Sequence, residues 1–278
     1  MRAIDKLNRF IGLYLAAFSR VFRFGIWVPL AIYAILQVAI VILAANFTNP
    51  SLYSILKPSV ALLGDRNVEV MSHYPGIYLV MPSVVAWGKY ILGVLFEGLV
   101  MGMAAVLFVR AYSDTPVGMN YATAFKKWLP LLIVWCFISA LILAANQFIP
   151  GLFSSYLAGS PRRIMLFGIS MKFVTVFIYS LFIYAIPAVI VYGNGILRAL
   201  RTSLSLFAEY PVFSFFLALI PYLLTVPFSY MYENAGTIVS KFTPELMLYL
   251  LIGGVIIDMV VNFILSGTVV KFLLDERR

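Results

Sequence analysis

Two acids lie where a strongly apolar chain rarely carries them. Glu97 ends the run Gly93-Val-Leu-Phe-Glu97 and Asp258 ends Gly254-Val-Ile-Ile-Asp258, and each is followed thirteen residues later by a base, Arg110 or Lys271. At the centre of a membrane helix an Asp, Lys or Arg costs roughly 2.5–3.5 kcal/mol on an insertion scale, so each such residue invites a functional role. If the two helices meet, facing carboxylates in a low dielectric share a proton, which is the arrangement of a proton or cation site. Ser180 and Asn262 are the polar side chains that would complete it. The competing expectation is packing alone, with each acid protonated or hydrogen-bonded to Ser180, Tyr179, Asn262 or a neighbouring Tyr and fixing helix register. Lys89 and Lys172 fall nearer the predicted outer helix ends and are expected to snorkel to the interface.

Other chemistry is scarce. One Cys (Cys136) and one His (His73) exclude a disulfide within the chain and a Cys/His zinc cluster. His73-Tyr-Pro-Gly reads as a turn, and no phosphate loop, nucleophile elbow, metal pair or ATP-binding motif is present. The expectation is a non-enzymatic protein without a cofactor or a metal.

The elements that carry these residues are membrane spans. Hydrophobic residues make up 63% of the 278 positions and charged ones 11%, against roughly half and a quarter in a soluble domain. Charge-poor intervals of about twenty apolar residues place six transmembrane helices near 26–47, 84–109, 128–149, 165–191, 211–231 and 246–270. The predicted fold is therefore all-α, a single polytopic membrane domain over 1–278. Within it, Gly98-x-x-x-Gly102 permits close helix packing, and Pro187, Pro221 and Pro227 interrupt the fourth and fifth spans.

Three amphipathic helices are expected on one face, near 2–23, 118–127 and 194–208. On a helical wheel Arg2, Asp5, Lys6, Arg9, Arg20 and Arg23 share one arc, opposite Ile11, Leu15, Phe18 and Phe22. Arg198, Arg201, Thr202, Ser205 and Glu209 repeat the pattern, and Lys126 and Lys127 do so over a shorter stretch. The net charge of +9 then points to anionic lipid head groups rather than nucleic acid, with Arg2, Lys6, Arg9, Arg20, Arg23, Lys126, Lys127, Arg198 and Arg201 as the contacts. With both termini cytoplasmic these bases, with Arg110, Lys271, Arg277 and Arg278, lie inside, and Lys57, Arg66, Arg162, Arg163 and Lys241 lie outside. Short loops and a basic inner face suit a bacterial inner (plasma) membrane.

Internal similarity suggests a threefold hairpin repeat. Trp27-Val-Pro-Leu and Leu43-Ala-Ala-Asn46 bracket the first span, as Trp128-Leu-Pro-Leu and Leu143-Ala-Ala-Asn146 bracket the third, and the second and sixth spans share the acid motif. The run Phe182-Ile-Tyr-Ala-Ile-Pro187-Ala-Val-Ile-Val, followed by Gly195-Ile-Leu-Arg198-Ala-Leu-Arg-Thr-Ser203, resembles a group of bacterial six-helix membrane proteins. That group includes the membrane domain of some glycerophosphodiester phosphodiesterases. The stretch from Arg110 to Phe125 is similar to the group's link into its amphipathic segment. The resemblance implies a six-helix fold; the sequence is expected to depart from the phosphodiesterase members in lacking their soluble catalytic domain, so glycerophosphodiesterase activity is not carried over. Two function classes follow: a subunit or accessory factor of a membrane complex that contacts anionic lipid, or a small secondary transporter or lipid-moving protein built around Glu97 and Asp258.

Overall fold

A computed structural model describes residues 3–113, 120–157 and 160–277, with side chains from residue 7 onward except that of Pro161. Every regular element in them is helical: α1 (Ala3–Phe18), α2 (Phe24–Ala45), α3 (Pro50–Ala61), α4 (Asp65–Met71), α5 (Gly76–Tyr112), α6 (Tyr121–Lys126), α7 (Trp128–Leu152), α8 (Ser154–Leu157), α9 (Pro161–Phe182), α10 (Ala185–Val191), α11 (Ile196–Glu209), α12 (Pro211–Leu223), α13 (Val226–Glu233), α14 (Ala235–Lys241) and α15 (Leu246–Glu276).

Among the described residues five helical stretches are long and apolar enough to cross a membrane: α2, α5, α7, Arg162–Val191 (α9 with α10) and α15. Large apolar side chains stay exposed along them, Ile32, Ile35 and Ile42 on α2 and Ile169, Phe173 and Phe177 on α9, as lipid-facing surfaces require. The chain is a multi-pass membrane protein. The segment expected as one span over 211–231 is instead broken. α12 ends at Leu223 after about 20 Å, short of a hydrocarbon core about 30 Å thick. α13 restarts at Val226 because Pro227 lacks the N–H that would have bonded the Leu223 carbonyl. α11 and α12 together have the length and hydropathy of a sixth span, but they meet at a bend of 105° before Pro211.

The chain divides into two compact units. The first comprises Met1–Pro29, Val94–Tyr222 and Asn262–Arg278. In it α7 packs on α9 and α10, and α11 packs on the same three helices. Gly98 and Gly102 bring α5 against α7: a methyl group on Gly98 would lie 2.6 Å from the Leu131 carbonyl oxygen, and one on Gly102 would lie 2.5 Å from Leu131 Cδ1. Trp27 stacks on Phe263 with 4.2 Å between ring centres, and Phe108 meets Phe263 edge-on at 5.1 Å.

Pro187 breaks the α9–α10 span at Ile183 and Tyr184, its missing N–H leaving the Ile183 carbonyl without a helical donor. Ser203 of α11 repairs this break from outside. Its hydroxyl donates to the Leu181 carbonyl at 2.8 Å and accepts from the Tyr184 N–H at 3.2 Å, with the side chain fully enclosed. Freed backbone groups at membrane depth must find such partners. Ser203→Ala is therefore expected to cost about 1–3 kcal/mol, read as a lower thermal midpoint in detergent. An unchanged midpoint would mean that the break needs no external donor.

The second unit comprises Leu30–Gly93 and Leu223–Val261. Its core gathers Val41, Phe47, Met71, Met81, Met247 and Leu251. The connection expected between the first two spans is here the helices α3 and α4, packed on each other, before α5 begins at Gly76.

Candidate functional site

The early start of α5 changes the setting of Lys89. The expected span began near residue 84, which would leave Lys89 close to a helix end. From Gly76, however, it lies about 20 Å along the axis, and Asp258 lies about 18 Å along α15 from Leu246. Lys89 Nζ donates to Asp258 Oδ2 at 2.5 Å, an ion pair within the second unit. Both side chains are partly enclosed, at 23% and 35% exposure.

The pair stands on the wall of a cavity of about 270 Å³. Thr225, Ser229 and Tyr232 add hydroxyls to a lining that is otherwise mostly apolar, including Pro82 and Phe228. Tyr232 reaches the cavity because Gly254, one turn before Asp258, has no side chain. A methyl group there would lie 1.8 Å from the Tyr232 hydroxyl oxygen. That hydroxyl donates to the Leu250 carbonyl at 3.0 Å, and Tyr232 lies within electrostatic range of Asp258. The glycine of the acid motif thus admits an aromatic side chain beside the acid.

Two partly enclosed charges hold each other in place, and such a pair answers to two kinds of competitor. A proton neutralises Asp258 and releases the ammonium of Lys89. An anion on Lys89 releases the carboxylate. Either event would change the charge on the cavity wall.

The other sequence-derived site residues fall in the first unit. Glu97 is half-buried on α5 and lies within electrostatic range of Tyr179, whose ring meets Trp135 edge-on at 6.3 Å. Ser180 is fully enclosed and donates to the Phe177 carbonyl of its own helix at 2.7 Å. Asn262 is half-buried on α15. Sequence reasoning set Lys89 aside as an interfacial residue and did not select Tyr232. The legible signal for both was the uncharged stretch upstream of residue 84, which lengthens α5, and the glycine one turn before Asp258.

The basic residues divide by environment. Arg23, Lys126, Arg198 and Arg201 are exposed. Arg9 pairs with Glu276 and lies over the Phe272 ring at 5.0 Å, and Arg20 lies over the Tyr112 ring at 5.8 Å. α1 accordingly turns Leu13 and Ala17 into the protein and leaves Ile11, Leu15 and Phe18 exposed; it ends at Phe18, short of the expected residue 23, and Phe22 is exposed in the turn that follows. Arg2 lies outside the described residues, as does the side chain of Lys6.

Lys127 has a structural task. Its ammonium donates to the Val189 carbonyl at 2.7 Å in the last turn of α10, while Arg277 donates to the Val191 carbonyl at 3.2 Å. Burial lowers the Lys127 ammonium from its ordinary pKa. Cations at a helix C-terminus satisfy free carbonyls and the negative end of the dipole. Lys127→Met should cost about 1 kcal/mol in thermal unfolding, and Lys127→Arg should recover much of it. Equal loss in both variants would contradict the capping role.

Comparison with known proteins finds no matching family model, no matching curated protein and no matching solved structure. The resemblance drawn from Phe182 to Ser203 and from Arg110 to Phe125 therefore rests on the sequence motifs alone.

Proposed function

We propose that this chain is a non-enzymatic membrane protein that acts as a small secondary transporter, with the Lys89–Asp258 pair as its proton- or solute-responsive site. The observation that carries the reading is an ion pair at 2.5 Å on the wall of a cavity about 270 Å³ in volume, set between helices of spanning length. Ionisable residues so placed mark ion and substrate pathways by default. With no ATP-binding motif in the sequence, active transport would draw on an ion gradient or on a separate ATPase.

The proton is the simplest cargo to test. The protein is reconstituted into vesicles loaded with a pH-sensitive dye, and a potassium diffusion potential is applied. Proton entry above that of empty vesicles is expected for the native chain and is lost in Asp258→Asn. Equal entry in both, or none in either, would overturn proton movement through this pair.

A second reading is favoured by α11, which exposes Arg198 and Arg201 together with Leu197, the last at 82%. A helix with that surface suits an interface of anionic lipid. In this reading the protein is an accessory subunit that docks other membrane proteins, and the ion pair fixes helix register. The six-span count, the threefold repeat, the bacterial inner membrane and the cytoplasmic placement of both termini belong to the same proposal. They are supported by the acid and Trp-Pro motifs and by the distribution of bases along the chain.

A further inference from the structure

A second cavity lies in the first unit, and its lining residues differ in position along the chain and in chemistry from those of the proposed transport site. It encloses about 640 Å³ where α1, the bend between α11 and α12, and the end of α15 come together. That volume is in the range of small-molecule sites, roughly 300–1,000 Å³. Its walls are Phe10, Val212, Phe213, Phe216, Ile220 and Phe272, and Val212 is 69% exposed at the opening. The aromatic part is preformed: Phe10 meets Phe213 at 5.3 Å and Phe213 meets Phe272 at 5.2 Å.

One end of this groove is polar. Arg9 and Glu209 line it, and Glu276 is bonded to Arg9. The Tyr210 hydroxyl donates to Glu276 Oε2 at 3.5 Å and lies within electrostatic range of Glu209. The described charges there are one guanidinium and two carboxylates. α11 ends at Glu209 and α15 ends at Glu276 while α12 starts at Pro211, so the helix ends at this mouth carry partial charges of both signs and the two carboxylates decide the balance. A head group with net negative charge is disfavoured at such a mouth. A cation without an apolar body would leave the aromatic walls empty.

From this complementarity we propose that the groove binds a bilayer phospholipid with a primary ammonium head group. Its ammonium donates to Glu209 and to the free lone pairs of Glu276. Its phosphate accepts from guanidinium N–H groups of Arg9 that remain beyond the one given to Glu276, since a guanidinium has five. One acyl chain lies against Phe213, Phe216 and Ile220. A quaternary ammonium carries no N–H and cannot make the carboxylate bonds, so a choline head group fits less well.

Competitive retention tests this directly. The detergent-extracted protein is incubated with an equimolar mixture of ethanolamine-, choline- and glycerol-headed phospholipids bearing identical acyl chains, and bound lipid is read by native mass spectrometry. The ethanolamine lipid is expected at least fivefold over each of the others. Glu209→Gln, an exposed substitution, is expected to remove that preference while some lipid is still retained. Val212→Trp, which fills the opening, is expected to lower retention of all three about tenfold. Equal retention of the three lipids, preference for the anionic one, or a preference unchanged by Glu209→Gln would each overturn the proposal.

Discussion

Asp258→Asn and Lys89→Met, made singly, are each expected to destabilise the protein by roughly 3 kcal/mol, whereas Lys89→Met combined with Asp258→Leu is expected to recover most of that loss. The single changes leave one charge in apolar surroundings without its partner, and breaking a buried pair in this way costs about 3–5 kcal/mol. The lower end applies because the pair lines an open cavity and is partly exposed. The double change removes both charges together, and an apolar replacement of similar volume is often neutral or stabilising. Thermal unfolding in detergent reads the stability of all three, and the vesicle assay reads proton entry. A double variant that is stable and inactive separates a working site from a packing device. One that is stable and fully active would leave the pair with a structural role only.

Gly98→Leu is expected to be the most damaging single change in the first unit, lowering stability by about 3 kcal/mol or more. The reason is what surrounds the missing side chain. A Cβ at Gly98 would meet the backbone oxygen of Leu131 at 2.6 Å and the Trp135 Cβ at 2.8 Å, and neither can rotate away. At Gly102 the nearest atom is Leu131 Cδ1 at 2.5 Å, the far end of a flexible side chain. The expected order of cost is therefore Gly98→Ala above Gly102→Ala. Gly151→Ala serves as the neutral control, since nothing lies within 4 Å of that position. Equal midpoints for the alanine variants at 98 and 102 would contradict the backbone contact.

The unbroken spans were legible because their signal is local. A run of about twenty apolar residues, uncharged in α2 and α7 and interrupted only by Asp258 in α15, places all three within a few residues at their starts. The ends of α5 were less legible: Pro75, Gly76 and Pro82 have loop chemistry, yet the apolar residues among them continue the helix back to Gly76. Pro221 and Pro227 look alike in sequence, but Pro221 is accommodated inside α12 and only Pro227 follows a break. The Lys89–Asp258 pair was beyond reach, since 169 residues separate its members and no periodic pattern relates them. Ser203 was visible as the end of an Ala-Leu-x-x-Ser run, but its task depends on a break in a different helix. A similar local echo joins Asn46 and Asn146, each of which donates to the carbonyl four residues earlier, at 2.8 and 2.9 Å.

The two cations that close the end of α10 come from opposite directions along the chain, and this gives its assembly a sequence in time. Lys127 is already made when Val189 emerges during synthesis. Arg277 follows Val191 by 86 residues, which at 5–20 residues per second is roughly 4–17 s. During that interval the nascent bundle holds α10 with one cap, and Val191 keeps its carbonyl open to water or to the insertion machinery. Completion of the last helix then supplies the second cap, so arrival of the C-terminal residues locks a terminus formed long before them.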